Sequence, residues 1–187
     1  MAIYRLHDHE VAIREIRADD GQRLQAAHAQ LSAEAQYRRF LGPKPVLSAS
    51  DARYLVEVDG CAHFALVATL ADDPEVIIAV ARFVRLADDP AAAEFAIVVG
   101  DPYQSRGLGT EMMLELIQAA RERGVQRFLA TILAGNRAAL RLVRRLSAGA
   151  GSERRRGILI EIEFDLALAQ ANVGDPGPAM IAACLGS

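Results

Sequence analysis

The stretch Glu94-Phe-Ala-Ile-Val-Val-Gly-Asp-Pro-Tyr-Gln-Ser-Arg-Gly-Leu-Gly-Thr110 decides how the rest of the chain is read. Residues 95–99 are β-branched or aromatic around one alanine, which predicts a strand, and Asp101-Pro102 stops it. Residues 108–123 place Leu108, Met112, Met113, Leu116, Ile117 and Ala120 on one helical face, and Gly124 supplies the C-terminal cap. A strand therefore runs through a glycine-bearing turn straight into a helix. The first turn of such a helix leaves backbone N–H groups without partners at the positive end of the dipole, and Gly107 and Gly109 let an anion approach the main chain closely. A diphosphate is the expected occupant.

Spacing separates three kinds of phosphate loop. The Walker loop requires Gly-Lys-Ser/Thr after its spacer; no lysine follows Gly109, and Lys44 is the chain's only one. The dinucleotide fingerprint requires a third glycine where this chain has Met112. What remains, Gln104-x-x-Gly107-x-Gly109 after an apolar strand, resembles the coenzyme A pyrophosphate loop of the GNAT superfamily of N-acetyltransferases.

Working outward, Val11–Ile16 alternates as an opening strand, and helices are expected from Asp19 to Leu31, from Ser32 to Phe40, and from a Ser48/Asp51 capping box to about Val58. Strands over His63–Leu70 and Val76–Leu86 form an expected hairpin. After the cradle come a strand over Phe128–Leu133, a helix capped by Asn136 and running to Leu146, and a last strand over Ile158–Phe164. Ser147–Gly157 reads as a mobile loop and the tail after Ala171 as poorly ordered. The order predicts a mixed α/β domain with a central sheet.

With 187 residues and 52% hydrophobic content, one core and one domain are expected at ~100–200 residues per domain. A net charge of −3 gives no case for nucleic acid as a partner, and no apolar stretch is long enough to cross a membrane. Cys61 and Cys184 show no CxxC or Cys/His spacing, so neither a disulfide framework nor a metal site is expected, and the chain reads as cytoplasmic.

The resemblance covers residues 11–165 and implies a GNAT-like fold: a mixed sheet with a splayed strand pair at the coenzyme site and helices on both faces. It implies an acetyltransferase domain over residues 1–165 followed by a tail over 166–187, with acetyl-CoA as cosubstrate and no metal. It also implies that Ile97, Val98 and Val99 pair with the pantetheine arm, and that Gln104, Ser105, Arg106, Gly107, Leu108, Gly109 and Thr110 hold the pyrophosphate. Asn136 with Ala139 and Leu142 matches the first half of the family's later signature; the second half departs. Leu31-Ser32 through Tyr37-Arg-Arg-Phe40 is similar to the opening of bacterial Pat-type protein-lysine acetyltransferases. The acceptor is then a primary amine, with a protein lysine among the candidates, the rivals being a small-molecule amine or a non-catalytic acyl-CoA-binding regulatory module. Oligomer formation is left open.

Glu94 is the candidate base, the alternative being a solvated strand start after the Ala91–Ala93 loop. It shares a strand face with Ala96 and Val98, and partial burial among small apolar neighbours would move a carboxylate toward the range useful for deprotonating an ammonium. His63 is the fallback. Val143 stands where many family members have a tyrosine proposed to protonate the leaving thiolate, which leaves solvent or Tyr103. Arg137, Arg141, Arg144 and Arg145 are either a solvated helix face or contacts for the coenzyme's 3′-phosphate, and Arg154–Arg156 are either an ordinary solvated loop or a means of drawing an acidic substrate surface.

Overall fold

A computed structural model describes residues 2–6, 9–149 and 151–169. The elements are β1 (Ala2–Leu6), β2 (His9–Glu15), α1 (Gly21–Ala29), α2 (Ala33–Phe40), α3 (Ala49–Val56), β3 (His63–Leu70), β4 (Ile77–Arg85), β5 (Ala92–Val99), α4 (Leu108–Glu122), β6 (Arg127–Leu133), α5 (Arg137–Leu146), β7 (Ser152–Arg156) and β8 (Leu159–Asp165). The sheet order is β1-β2-β3-β4-β5-β6-β8-β7. Every neighbouring pair is antiparallel except β5 and β6, whose parallel pairing requires a crossover, supplied by α4.

Period-two alternation sends the side chains of each central strand to two different cores. Phe64, Leu66, Ala81, Phe83, Phe95 and Phe128 face α4 and α5, packing with Met112, Met113, Leu116 and Val143. Ala65, Val67 and Ile77 face the other way, against Leu24, Ala52 and Val56 of α1 and α3. Helices thus lie on both faces, as the GNAT-like pattern implied. The N-caps act as read: the Ser32 hydroxyl accepts from the Ala35 N–H, Ser48 and Asp51 form a full capping box, and the Asn136 side chain accepts from the Ala139 N–H.

The site depends on how β5 is paired. Against β4 its ladder runs from Arg85↔Ala93 to Ala79↔Val99. Against β6 it runs only from Ala92↔Arg127 to Glu94↔Leu129, although β6 continues to Leu133 beside β8. From Phe95 to Val99 the β5 edge facing β6 is open.

Two elements differ from the sequence reading. Residues 147–157 are not one loop, because Ser152–Arg156 forms β7 at the sheet edge, and β1 forms the opposite edge. Beyond the expected last strand, Leu166 is fully buried and Ala169 nearly so. The expected poor order after Ala171, and Cys184 with it, falls outside the described residues. Among the described residues, no helix is long and apolar enough to cross a membrane.

A buried ion cluster ties β2 to α1. Asp20, fully buried, accepts from Arg14 at 2.7 and 2.8 Å, from Arg23 at 3.1 Å and from the Arg17 N–H at 2.8 Å. Burial alone would raise this carboxyl, but Arg14, the Arg17 N–H and Arg23 outweigh it and hold it below its ordinary value. Because the folded value is depressed, the stabilisation is full above the unfolded value of about 4 and is lost as pH falls through the folded value. Asp20→Asn is expected to lower unfolding free energy at pH 7 by about 2 kcal/mol and to flatten its loss toward pH 3. Urea titrations at the two pH values check this; an unchanged acid dependence counts against Asp20 as its source.

Candidate active site

The loop after β5 is assembled by short polar contacts. The Gly100 N–H donates to the Ile78 carbonyl at 2.8 Å, and the Asp101 carboxylate accepts from both the N–H and hydroxyl of Ser32 at 2.9 Å, which fixes the start of α2 beside the loop. Gln104 donates its side-chain N–H to the Val99 carbonyl at 3.0 Å. Ser105 (φ 60°) and Gly107 (φ 95°) are left-handed, with Arg106 between them at negative φ. Such alternation turns successive N–H groups into an anion-binding concavity. Among the described residues none of the N–H groups from Ser105 through Gly109 donates to any partner, whereas those of Thr110 and Glu111 return to the Gly107 carbonyl. Five donors in sequence therefore wait at the head of α4.

These donors open into a cleft of about 620 Å³ bounded by the β5 edge, the loop, α2 and α5. Ile97, Val98, Val99, Gln104, Ser105, Gly107, Gly109, Thr110 and Asn136 line it. Arg106 and Leu108 do not; the Leu108 side chain is buried in the core beneath. At Gly109 a Cβ would sit 3.5 Å from the Leu142 side chain, ordinary contact, so glycine is not sterically required there, while the φ of Gly107 does favour glycine.

The sequence did not single out Arg38 and Arg39 of α2, which line the cleft together with Arg141 and Arg145 of α5; no Asp or Glu joins them. Arg38 is held by Glu34 at 2.6 Å, and Arg145 donates to the Thr110 hydroxyl. The α5 arginines divide by helical rotation: Arg141 and Arg145, four residues apart, face the cleft, while Arg144 turns away to Glu153 at 2.7 Å. A cleft with unpartnered N–H donors, whose charged side chains are all cationic, suits phosphate groups.

Glu94 sits at the last β5–β6 pair, where the strands part. It is exposed rather than partly buried, because none of the described helices covers this face of β6, β8 and β7. Its carboxylate has no hydrogen bond or ion pair among the described residues. It lines not the cleft but an open hollow of about 410 Å³ with Thr131, Arg154, Glu161 and Glu163. Tyr103 does not line the cleft; it packs edge-on to His9 at 6.0 Å, and Val143 is buried in the core. The fallback base is engaged elsewhere: His63 Nε2 lies 3.0 Å from Arg82 Nη1, so it accepts from a cation, and burial, then the Arg82 charge, lower its pKa. Arg154–Arg156 lie on exposed β7, with Arg156 paired to Glu161 at 2.9 Å.

A strand edge freed from its neighbour beside an anion-binding helix start is the arrangement implied above for coenzyme A. The Acetyltransferase (GNAT) family model matches residues 22–147. The chain belongs to this family. It is 41% identical over 138 residues to Acetyltransferase Pat of Mycolicibacterium smegmatis, covering 73% of this chain but 40% of that protein, so it spans well under half of that relative. It is 30% identical over 129 residues to Acetyltransferase PA5475 of Pseudomonas aeruginosa, covering 68% of this chain and 69% of that protein. The GNAT domain of S. lividans PAT superposes with a TM-score of 0.78 at 30% identity, over 88% of this chain and 96% of that one. Acetyl-CoA is the acetyl donor of the GNAT family, and the donors and arginines of the cleft suit its phosphates.

Proposed function

We propose that residues 1–165 transfer an acetyl group from acetyl-CoA to a primary amine, with a lysine on a folded protein as the acceptor. The observation that carries the reading is the parting of β5 and β6 at Glu94, which puts the cationic cleft on one side and an unpaired carboxylate on an open sheet face on the other. The N–H groups of Ser105–Gly109 would hold the diphosphate, and Arg141 and Arg145 would meet further phosphate. The free edge of Ile97–Val99 would pair with the pantetheine amides as an added strand does. Glu94 would take a proton from the ammonium, directly or through water, and the amine would attack the thioester carbon. A backbone N–H near Val99 would stabilise the developing oxyanion. The N–C bond forms, the C–S bond breaks, and the thiolate takes its proton from solvent, since no tyrosine lines the cleft.

The uncovered face around Glu94 supports a large acceptor, because a small amine would be better served by a closed pocket. Steering by exposed Arg154, Arg155 and Arg156 would raise the association rate with an acidic partner and fade with salt. Replacing all three by Ala is expected to lower protein acetylation several-fold at low salt while sparing small amines. Mass spectrometry of a lysate incubated with enzyme and labelled acetyl-CoA checks this; label confined to small amines would reject the protein acceptor. Val143 and the missing acid favour a second reading, a non-catalytic acyl-CoA-binding module, which thiol release above the uncatalysed rate would exclude.

A further inference from the structure

A second, smaller cavity lies behind the cleft. It occupies about 60 Å³, roughly four times the ~15 Å³ that one water needs on the same measure. Leu24 of α1, Leu55 of α3, Val80 of β4 and Val98 of β5 form apolar walls, and two guanidinium groups, Arg39 and Arg82, complete it. Arg39 and Val98 also line the coenzyme cleft, so the cavity is reached from that side.

Among the described residues no carboxylate pairs directly with either arginine. Arg82, 5% exposed, donates through Nη2 to the Leu55 carbonyl at 3.0 Å and through Nη1 to His63 Nε2 at 3.0 Å. Both acceptors are neutral, and its buried Nε–H has no partner among the described residues. Arg39 makes no hydrogen bond or ion pair among the described residues, only a cation–π contact with Phe40 at 5.0 Å. Burial, reinforced by the Arg39 charge, pushes the Arg82 guanidinium down to about 10. The carboxylate whose field reaches Arg39 is exposed Glu94, outside ion-pair distance. Two like charges in an apolar pocket, with one N–H unsatisfied, are costly unless an anion completes them.

We propose that this cavity is a carboxylate subsite: Arg39 and Arg82 take the carboxylate of a short aliphatic chain that enters from the coenzyme cleft. The walls pack the methylenes and the guanidinium forks bind both oxygens. Two sources carry that chemistry within reach of the thioester. One is a dicarboxylic acyl group such as succinyl on the coenzyme; the other is an acidic side chain flanking the acceptor amine. The ammonium itself would be repelled by the two guanidinium groups and is met instead by the Glu94 carboxylate. The proposal rests on the acyl-CoA reading of the cleft.

Burial slows exchange of the Arg82 Nε–H, so its resonance, assigned by its loss in Arg82→Gln, reports the subsite directly. Titrations would use succinate, acetyl-CoA, succinyl-CoA, and lysine peptides with Glu or Gln beside the lysine. The expected result is a shift with succinate and with one of the larger probes: with succinyl-CoA but not acetyl-CoA if the acyl group is the source, or with the Glu but not the Gln peptide if the acceptor is. In turnover the same member of the pair should lead by at least tenfold in kcat/KM, and Arg82→Gln should erase that lead. Arg39→Gln serves the same purpose if Arg82→Gln fails to fold. No shift with any carboxylate probe in folded protein, or a preference that survives both variants, would overturn the proposal. If no coenzyme thioester binds at all, the acetyltransferase reading fails, while the succinate titration still decides the subsite.

Discussion

Glu94→Gln is expected to lower amine acetylation by about 10²–10⁴-fold, the usual cost of removing a general base. Glutamine keeps the shape and hydrogen-bonding reach but has no basic oxygen. The position favours this outcome: the carboxylate stands at the last rung of the β5–β6 ladder, unpaired among the described residues, and beside the strand edge proposed to hold the thioester arm. Acetyl-CoA affinity should stay within about twofold, because Glu94 does not line the cleft. The loss should therefore fall on kcat with little change in coenzyme Kd, as expected for an interaction made in the transition state. Stopped or steady-state thiol release with a reactive amine measures it. Turnover above half of wild type would make Glu94 a structural residue, and His63 would not replace it, since its Nε2 is engaged by Arg82.

Gly107→Val is expected to weaken acetyl-CoA binding at least tenfold, ~1.4 kcal/mol. Gly107 has φ 95° at the N-cap of α4 and lines the cleft. Valine is strongly disfavoured at that φ, so the loop must turn and carry the N–H groups of Ser105–Gly109 out of register, or the side chain must stand at the mouth of the cradle. Gly107→Ala, with a strain of roughly 1–2 kcal/mol, gives a milder second variant if valine prevents folding. Calorimetry on folded protein decides: unchanged affinity in either variant would remove the anion-binding role from this loop.

How much of this was legible beforehand follows from the range of the forces involved. The strand over 95–99, the helix from 108 and the caps at Ser32, Ser48 and Asn136 are written in contiguous residues, because apolar period, turn geometry and side-chain capping act within a few positions. The glycine spacing likewise marked the turn at the head of α4, and with it the family. Edge strands β1 and β7 left no such mark; β7, Ser-Glu-Arg-Arg-Arg, is exposed throughout and is held by its ladder to β8. An alternating sequence showed which residues share a face but not what covers that face, so Glu94 was placed correctly on its strand and wrongly in its burial.

What the tertiary structure alone decided is charge placement. Arg141 and Arg145 were separated from Arg144 by the rotation of a helix packed against the cleft. Arg38 and Arg39 were drawn in by α2, which the Asp101–Ser32 contacts fix beside the loop. Arg39 and Arg82 converge only because α2 packs over antiparallel β4 and β5, whose register sets Arg82 opposite Ala96. The chain itself determined its local elements and the glycine turn at the head of α4, since hydrogen bonding and hydrophobic period are short-ranged. Which charges meet, and which remain without a partner among the described residues, was fixed by how helices and strands distant in sequence pack together, which the short-range signals of a single stretch do not set.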